Sequence, residues 1–271
     1  MTRIQPGSIV VAADGSPDAE RAVLWAAEQA HLERRALVVV TAADQGAAAA
    51  NEAAVQLARH WRPGVEVEGA TIDGTPRDVL LELSVAAHLL VMGSRGRGPV
   101  ESVVLGSVSA SVVRHAACPV VVCRPGSVGR VHRGILVGAD ATPTSGPVVE
   151  FAFLQASLRD VPLTIVRDGH DAGAVDAALS IAEATAGFAE LYPEVRVTVE
   201  PGSAFADESR GPSSWRWDMI VVGRPAKEGL RRGATEVLER ALTVVAVVPE
   251  TSDEEPASAG TRAPLVAAPR S

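Results

Sequence analysis

The chain has 271 residues, of which 47% are hydrophobic and 21% charged, a composition typical of a globular protein with one large or two small domains. Its formal net charge of −8, with a single lysine at Lys227, argues against a nucleic-acid-binding surface, which needs clustered lysine and arginine. The chain does not begin with a cationic segment followed by a hydrophobic one, and no apolar run is long enough to span a bilayer. We therefore expect a cytoplasmic protein that binds neither nucleic acid nor membrane.

In chain order, short apolar β-branched runs alternate with longer stretches of helical periodicity, which predicts a parallel sheet with helices on both faces. The first helix is expected to have Ser16 as its N-cap and Pro17 at its first position. The strands of the first half are predicted near Ile9 to Ala13, Leu37 to Ala42, Val65 to Ala70, His88 to Met92 and Val120 to Cys123.

The two cysteines, Cys118 and Cys123, stand an odd number of positions apart, which along a strand would direct their side chains to opposite faces. We therefore expect no disulfide between them. His115 and Cys118 are too few ligands for a closed metal site, so both cysteines are interpreted as small core residues.

The second half of the sequence repeats the first, in a register that aligns Trp25 with Phe151. Three pairs of apolar segments correspond: Ile9–Pro17 with Ile135–Pro143, His88–Gly93 with Asp218–Gly223, and Pro119–Pro125 with Thr243–Pro249. The strands of the second half are predicted near Ile135 to Ala139, Leu163 to Val166, Val195 to Glu200, Met219 to Val222 and Val244 to Val248.

Two tandem open parallel-sheet domains are therefore expected, at residues 1–126 and 133–250, followed by a disordered tail at 251–271 that is rich in proline, alanine, serine and charge. The final strand of each domain, Val120 to Cys123 and Val244 to Val248, has few charges to discourage pairing. We expect these two strands to meet within one chain as an intrachain pseudo-dimer. Whether two chains then join as a homodimer is left open.

A glycine-rich loop follows the fourth predicted strand. Gly93 and Gly96 lack Cβ atoms, so this loop can take positive φ and bring its N–H groups close to an anion. Gly106 and Ser107 stand where the next helix should begin, and a helix N-terminus offers unpaired N–H groups and the positive end of its dipole. Arg95 adds planar donors that suit phosphate oxygens. The loop is therefore predicted to bind phosphate.

The spacing Gly93-x-x-Gly96, nine further residues and then Gly106-Ser107 resembles the nucleotide-binding signature of the universal stress protein family, in its ATP-binding branch. It is neither a Walker loop nor a dinucleotide fingerprint, because it lacks their spacings. The resemblance implies an adenine nucleotide alpha hydrolase-like, Rossmann-like α/β fold with ATP as the ligand. It implies these contact residues: Ala12, Asp14, Ala42, Met92, Gly93, Arg95, Gly96, Gly106, Ser107, Val108 and Ser109.

Both informative segments follow strand ends, where ligands bind in an open parallel sheet. The resemblance implies that Asp14 contacts the nucleoside, that Ala42 at the end of the second strand contacts adenine, and that the loop from Gly93 holds the phosphates. Asp14 could instead cap the first helix, and Gly93 and Ser107 could form an ordinary turn and cap. Arg97 has no support from the motif and is not assigned to the site.

The loop of the second half departs from this pattern. Ala226 stands at the second glycine position, Pro225 removes a backbone donor, and the spacer before Gly233 is shorter. We therefore predict one nucleotide site per chain, in the first domain, and interpret the glycine spacing as a requirement of the ligand more than of folding. The alternative is a different anion site in the second half, formed by Arg224, Lys227, Arg231 and Arg232.

Three functions stay open. The leading hypothesis is an ATP-binding universal stress protein with a regulatory output, in which the stress role comes from the resemblance alone. The second is a slow ATPase or nucleotidyl-transfer enzyme, in which Asp14 or a loop serine positions Mg²⁺. The Ser-Gly-Gly-x-Asp-Ser loop of the ATP pyrophosphatases, a related fold, is missing after the first strand, and no Ser-His-Asp set is evident. The third is a nucleotide-independent interaction module.

Overall fold

The structure, a computed structural model, describes residues 4–43, 46–96, 105–124, 133–139, 145–167, 185–200, 203–224 and 232–250. The predicted domain junction at residues 126–132 and the predicted tail at 251–271 lie outside these ranges.

All ten predicted strands are present. Their bounds are β1 Ile9–Ala12, β2 Leu37–Ala42, β3 Val67–Ile72, β4 Leu89–Gly93, β5 Val120–Cys123, β6 Ile135–Ala139, β7 Leu163–Arg167, β8 Val197–Glu200, β9 Met219–Arg224 and β10 Val244–Pro249. Strands β3 and β8 begin two residues later than predicted, because the residue at the expected start closes a turn. Val65 donates its N–H to the carbonyl of Arg62 (3.1 Å), and Val195 donates to that of Tyr192 (3.1 Å).

The helices fill the gaps between strands. Their bounds are α1 Pro17–Glu33, α2 Ala47–Trp61, α3 Pro76–Ser84, α4 Ser107–His115, α5 Gly146–Arg159, α6 with its described part at 185–191, α7 Ser203–Glu208 and α8 Arg232–Arg240. The predicted start of α1 is confirmed, since the Ser16 hydroxyl accepts the N–H of Ala19 at 3.2 Å and proline follows. Among the described residues, no helix combines the length and hydropathy needed to cross a membrane.

One ten-stranded sheet runs through both halves, in the order β3-β2-β1-β4-β5-β10-β9-β6-β7-β8. Neighbouring strands are parallel within each half, whereas β5 and β10 are antiparallel, with Val121 opposite Ala246. The two tandem open sheets therefore join along their final strands, and the predicted α/β fold class is confirmed.

Helices cover both faces of the sheet. One hydrophobic cluster packs α1, α2 and α5 against one face, and a second packs α3, α4 and α8 against the other. Cys123 belongs to the first cluster and Cys118 to the second, so these free cysteines lie on opposite faces, as expected. Burial raises the pKa of the Cys118 thiol to about 12, which keeps it protonated and unreactive at neutral pH.

A polar contact also joins the two halves, between α1 and α5. The Arg159 guanidinium donates to the side-chain oxygens of Gln155 (2.5 Å) and Gln29 (2.6 Å), and it lies 5.2 Å from the ring centroid of Trp25. Gln29 in turn donates to Glu33. Burial lowers the pKa of Arg159 to about 10, so it stays charged at neutral pH. The glutamines are fully buried, so this network ties α1 to α5 away from water.

Candidate functional site

The first half contains a crevice at the carboxyl end of its sheet. Strands β1 and β4 pair directly, with Ile9 opposite Leu89, although α1, β2, α2, β3 and α3 separate them in the chain. The strand order reverses at this pair, and ligands of open α/β sheets bind beside such a reversal. Asp14 follows β1 closely and Gly93 ends β4, so both informative segments lie beside the crevice.

A cavity of about 540 Å³ occupies this crevice, a volume within the usual range for small-molecule sites. The structure places every residue of the predicted site on its wall: Ala12, Asp14, Ala42, Met92, Gly93, Arg95, Gly96, Gly106, Ser107, Val108 and Ser109. Segments that are remote in the sequence therefore share one cavity.

Part of the wall was not found from the sequence. It is apolar, and it is formed by Val40 on β2 together with Pro76, Val79 and Leu80 on α3. These valines and the leucine are buried, at most 6% exposed. The Thr75-Pro76 pair, an N-cap followed by proline, predicts a helix start after β3 but not that this helix borders the cavity. The cavity thus has an apolar wall as well as a polar one.

Asp14 braces the turn that precedes α1. Its Oδ1 accepts the N–H of Ser16 at 2.9 Å, while Ser16 itself caps the helix. The alternative that Asp14 caps α1 is therefore wrong. Gly15 has a φ of +76°, a conformation that favours glycine and turns the chain between the two residues. Asp14 stays on the cavity wall with its other oxygen close to Gly96.

Gly93 and Gly96 allow other residues to approach the loop closely, and they do not adopt positive φ. The described glycines with positive φ do not include Gly93, Gly96 or Gly106, so that part of the prediction is wrong. A Cβ on Gly93 would lie 2.8 Å from the backbone carbon of Asp18, because the first turn of α1 packs directly on the end of β4. A Cβ on Gly96 would lie 2.7 Å from Oδ2 of Asp14.

Gly106 differs from these two glycines. A Cβ there would lie no closer than 3.6 Å to any atom outside its chain neighbours, and its φ of −66° suits any residue. The expectation that the glycine spacing serves the ligand more than folding is therefore wrong for Gly93, where backbone packing excludes a side chain. At Gly106 the protein itself leaves room for one.

The start of α4 is held against the end of β4. The Gly106 N–H donates to the carbonyl of Ser94 at 2.8 Å, and the Ser109 hydroxyl donates to that of Gly93 at 3.0 Å. Gly106 is the N-cap and has no side chain that could accept the first N–H groups of the helix. Ser107, Val108 and Ser109 carry these groups on the cavity wall, so an anion there would meet the positive end of the helix dipole.

Asp18 holds the loop that follows β4 through side-chain hydrogen bonds, and the sequence did not assign it to the site. It is 5% exposed, and its carboxylate accepts the Ser94 hydroxyl at 2.7 Å, the Arg95 Nε at 3.4 Å and the Arg21 guanidinium. Burial alone would raise the pKa of Asp18, but the Ser94 hydrogen bond and the positive charge of Arg21 outweigh it and lower the pKa. The carboxylate therefore stays ionised and fixes Arg95 beside the cavity.

We expect Asp18→Asn to lower the free energy of unfolding at neutral pH by about 1–3 kcal/mol, because buried hydrogen bonds to a charged group are lost. The pKa of Asp18 lies below its ordinary value of 3.8, so its stabilising contribution is complete above about pH 5 and is lost as the pH falls through the folded pKa. Urea unfolding at several pH values should therefore show a smaller acid-induced loss in the variant. Asp78→Asn is the matched control, because that carboxylate is 64% exposed; equal pH profiles for wild type and Asp18→Asn would contradict this role.

The second half uses its corresponding segment differently. Arg224 donates to the carbonyls of Arg114 (2.9 Å) and Ala116, so it does not belong to the alternative anion site. The other residues of that alternative site, Lys227, Arg231 and Arg232, lie outside the described residues or have side chains that do, and so do Pro225 and Ala226 of the altered loop. Asp140, the counterpart of Asp14, also lies outside them.

An aromatic side chain packs in the region of the second half that corresponds by the repeat to this cavity, the second crevice. Gly138 on β6 aligns with Ala12 of the first half, and a Cβ there would lie 2.8 Å from the ring of Phe205. Phe205 lies on α7, which follows β8 as α3 follows β3, and it is 7% exposed. The repeat thus places the ring beside the counterpart of Ala12, a residue that lines the cavity in the first half. Sequence reasoning missed this difference because a lone phenylalanine carries no motif.

Fold and cavity together define an α/β protein with a small-molecule crevice at the carboxyl ends of the parallel strands of its first half. The universal stress protein family matches residues 7–124. Universal stress protein Rv2005c of Mycobacterium tuberculosis (strain ATCC 25618 / H37Rv) is 31% identical over 267 residues, covering 82% of this chain and 88% of that protein. Universal stress protein Rv2028c of the same strain is 32% identical over 214 residues, covering 71% and 77%.

The likeness extends to a solved structure. The crystal structure of a universal stress protein from Archaeoglobus fulgidus DSM 4304 shares the fold with a TM-score of 0.71 at 17% identity, over 92% of this chain and 98% of that one. The chain belongs to the universal stress protein family.

Proposed function

We propose that this chain is an ATP-binding universal stress protein that holds one nucleotide in its first half and acts as a nucleotide-dependent regulator of a stress response. The observation that carries the proposal is the cavity at the β1–β4 reversal. It combines an apolar wall, a glycine loop and the N-terminus of α4, which are the surfaces that a nucleotide requires.

Each part of the cavity has a role in this proposal. The loop that begins at Gly93 and the first N–H groups of α4 bind the phosphates, and Arg95 adds a positive charge. The Ser94 N–H takes no part, since it donates to the carbonyl of Cys123 at 3.0 Å. Asp14 accepts hydrogen bonds from the ribose hydroxyls. The base lies against the apolar wall beside Ala42. Where Mg²⁺ accompanies the phosphates, the Asp14 carboxylate and the hydroxyls of α4 are oxygen ligands of the type that this ion prefers.

The second half has a supporting role in this proposal. Phe205 packs against Gly138 where the first half has open space, and the sequence places Pro225 and Ala226 in the loop. A proline lacks the N–H that a phosphate loop uses, and a Cβ restricts the approach of a ligand. The antiparallel pairing of β5 with β10 supports an intrachain pseudo-dimer. In this pseudo-dimer the first half binds the nucleotide and the second half stabilises the first.

Identification of the copurified ligand tests the proposal. The purified chain is denatured and the released small molecules are identified and counted by mass spectrometry, and the emptied protein is titrated with ATP by calorimetry. We expect about one ATP per chain by both measurements, since one cavity is assigned. Release of ADP with turnover of added ATP would favour the slow ATPase. The absence of both released nucleotide and ATP binding would favour the interaction module.

A further inference from the structure

Arg224 crosses from the second half to a helix of the first. It ends β9 and is 9% exposed, and its guanidinium donates to the carbonyls of Arg114 (2.9 Å) and Ala116 at the C-terminus of α4. Carbonyl groups at a helix C-terminus lack partners within the helix and carry the negative end of its dipole. A planar cation with several donors satisfies both requirements, so Arg224 anchors this end of α4.

The opposite end of α4 lies on the proposed phosphate site. Ser107, Val108 and Ser109 line the cavity, and the helix has only nine residues. A regular helix of this length is only about 14 Å long, so an anchor at its C-terminus also constrains the orientation of the N–H groups at its N-terminus.

The repeat shows which residue of the first half corresponds to Arg224. Gly223 aligns with Gly93, so Arg224 aligns with Ser94, which binds Asp18 within the first half. The Ser94 hydroxyl thus supports the loop of its own half, whereas the Arg224 guanidinium contacts α4 of the other half. Arg124 at the end of β5 makes the reverse contact, donating to the carbonyl of Leu238 on α8. Each half therefore holds a helix of the other across the β5–β10 pair.

We propose that Arg224 is a positioning residue for the nucleotide site, through which the second half holds α4 in the orientation that binds phosphate. The inference rests on the proposed function, because it assigns the α4 N-terminus to the phosphates. It gives the half without the glycine pattern a part in binding that acts through α4.

The test measures phosphate-dependent affinity in the full chain. Calorimetry compares ATP with adenosine for wild type, Arg224→Met and the control Val237→Ala, a fully buried residue of α8 whose loss weakens the second half without removing a hydrogen bond to α4. We expect Arg224→Met to weaken ATP binding about tenfold, equivalent to roughly 1.4 kcal/mol, with adenosine affinity unchanged. Hydrogen exchange should show reduced protection confined to α4. Val237→Ala should lower the melting temperature and leave both affinities unchanged.

The outcomes separate this inference from the proposed function. Unchanged ATP affinity in Arg224→Met, or an equal loss for ATP and adenosine, would overturn the positioning role while the proposed function stands. An equal loss of ATP affinity in Val237→Ala would also overturn it, because the effect would then follow from lower stability alone. A wild-type chain that binds no ATP would overturn both.

Discussion

Replacing Gly106 by valine is expected to weaken ATP binding at least about tenfold and leave the protein folded. The backbone at Gly106 has φ −66° and ψ 156°, which valine adopts readily, and the closest atom to a new Cβ is the Ser94 carbonyl oxygen at 3.6 Å. The residue lies on the cavity wall, so added atoms either fill the cavity or displace residues that line it. Loss of even one charge-assisted phosphate contact costs about 1.5–3 kcal/mol, a loss of tenfold or more in affinity.

Gly93→Ala is expected to have a larger effect on stability than Gly106→Val. Its Cβ would meet the Asp18 backbone at 2.8 Å, so we expect it to lower the free energy of unfolding by about 1–3 kcal/mol through overpacking. Gly106→Val should cost no more than about 1 kcal/mol, because valine is a poorer N-cap than glycine. Thermal unfolding followed by circular dichroism gives stability, and calorimetry gives ATP affinity. Gly106→Val that binds ATP like wild type would contradict the assigned site.

Phe205→Ala is expected to lower the free energy of unfolding more than any of the other substitutions proposed above. The ring is 7% exposed and packs against Gly138 in the cluster with α8, and removal of a buried phenylalanine costs about 3–5 kcal/mol. The substitution opens space in the second crevice, but Pro225 and Ala226 stay in its loop. We therefore expect the stoichiometry to stay at about one ATP per chain.

Urea unfolding and calorimetric titration measure these two effects separately. Val199→Ala, at a 39% exposed position of β8, is the control for removal of an exposed apolar side chain from the same half, and it should change stability by less than about 0.5 kcal/mol. A second ATP bound by Phe205→Ala would show that the aromatic ring alone, and not the loop, closes the second crevice. Unchanged stability would contradict the packing of Phe205 against β6.

Much of the fold could be predicted because its signals are local. Each strand is a short β-branched run bounded by turn or helix signals, and the repeat identifies the two halves independently of any single strand. The errors at β3 and β8 share one cause: Val65 and Val195 have strand-like side chains, but their N–H groups close turns. Backbone hydrogen bonding therefore sets where β3 and β8 begin, and the type of side chain does not indicate that bonding.

The candidate site could be located for a similar reason. Loops at the carboxyl ends of adjacent parallel strands meet at one edge, so Asp14 and Gly93 were expected to lie close together once their strands were recognised. The apolar wall from α3 was missed, because Val79 and Leu80 have the periodicity of ordinary core residues. Asp18 lies in the first turn of α1, where an acidic residue is common, and its contacts with Ser94 and Arg95 depend on segments far away in the chain.

The sequence by itself determined the strands, the tandem repeat, the glycine spacing and its loss in the second half, because each is written in neighbouring residues. Tertiary structure alone decided why Gly93 is a glycine, where Arg224 reaches and what fills the crevice beside Gly138. These depend on close approaches to Asp18, α4 and Phe205, which come from other elements of the fold. A contact between distant segments has no period in the sequence, so it becomes visible only when the packed atoms are placed together.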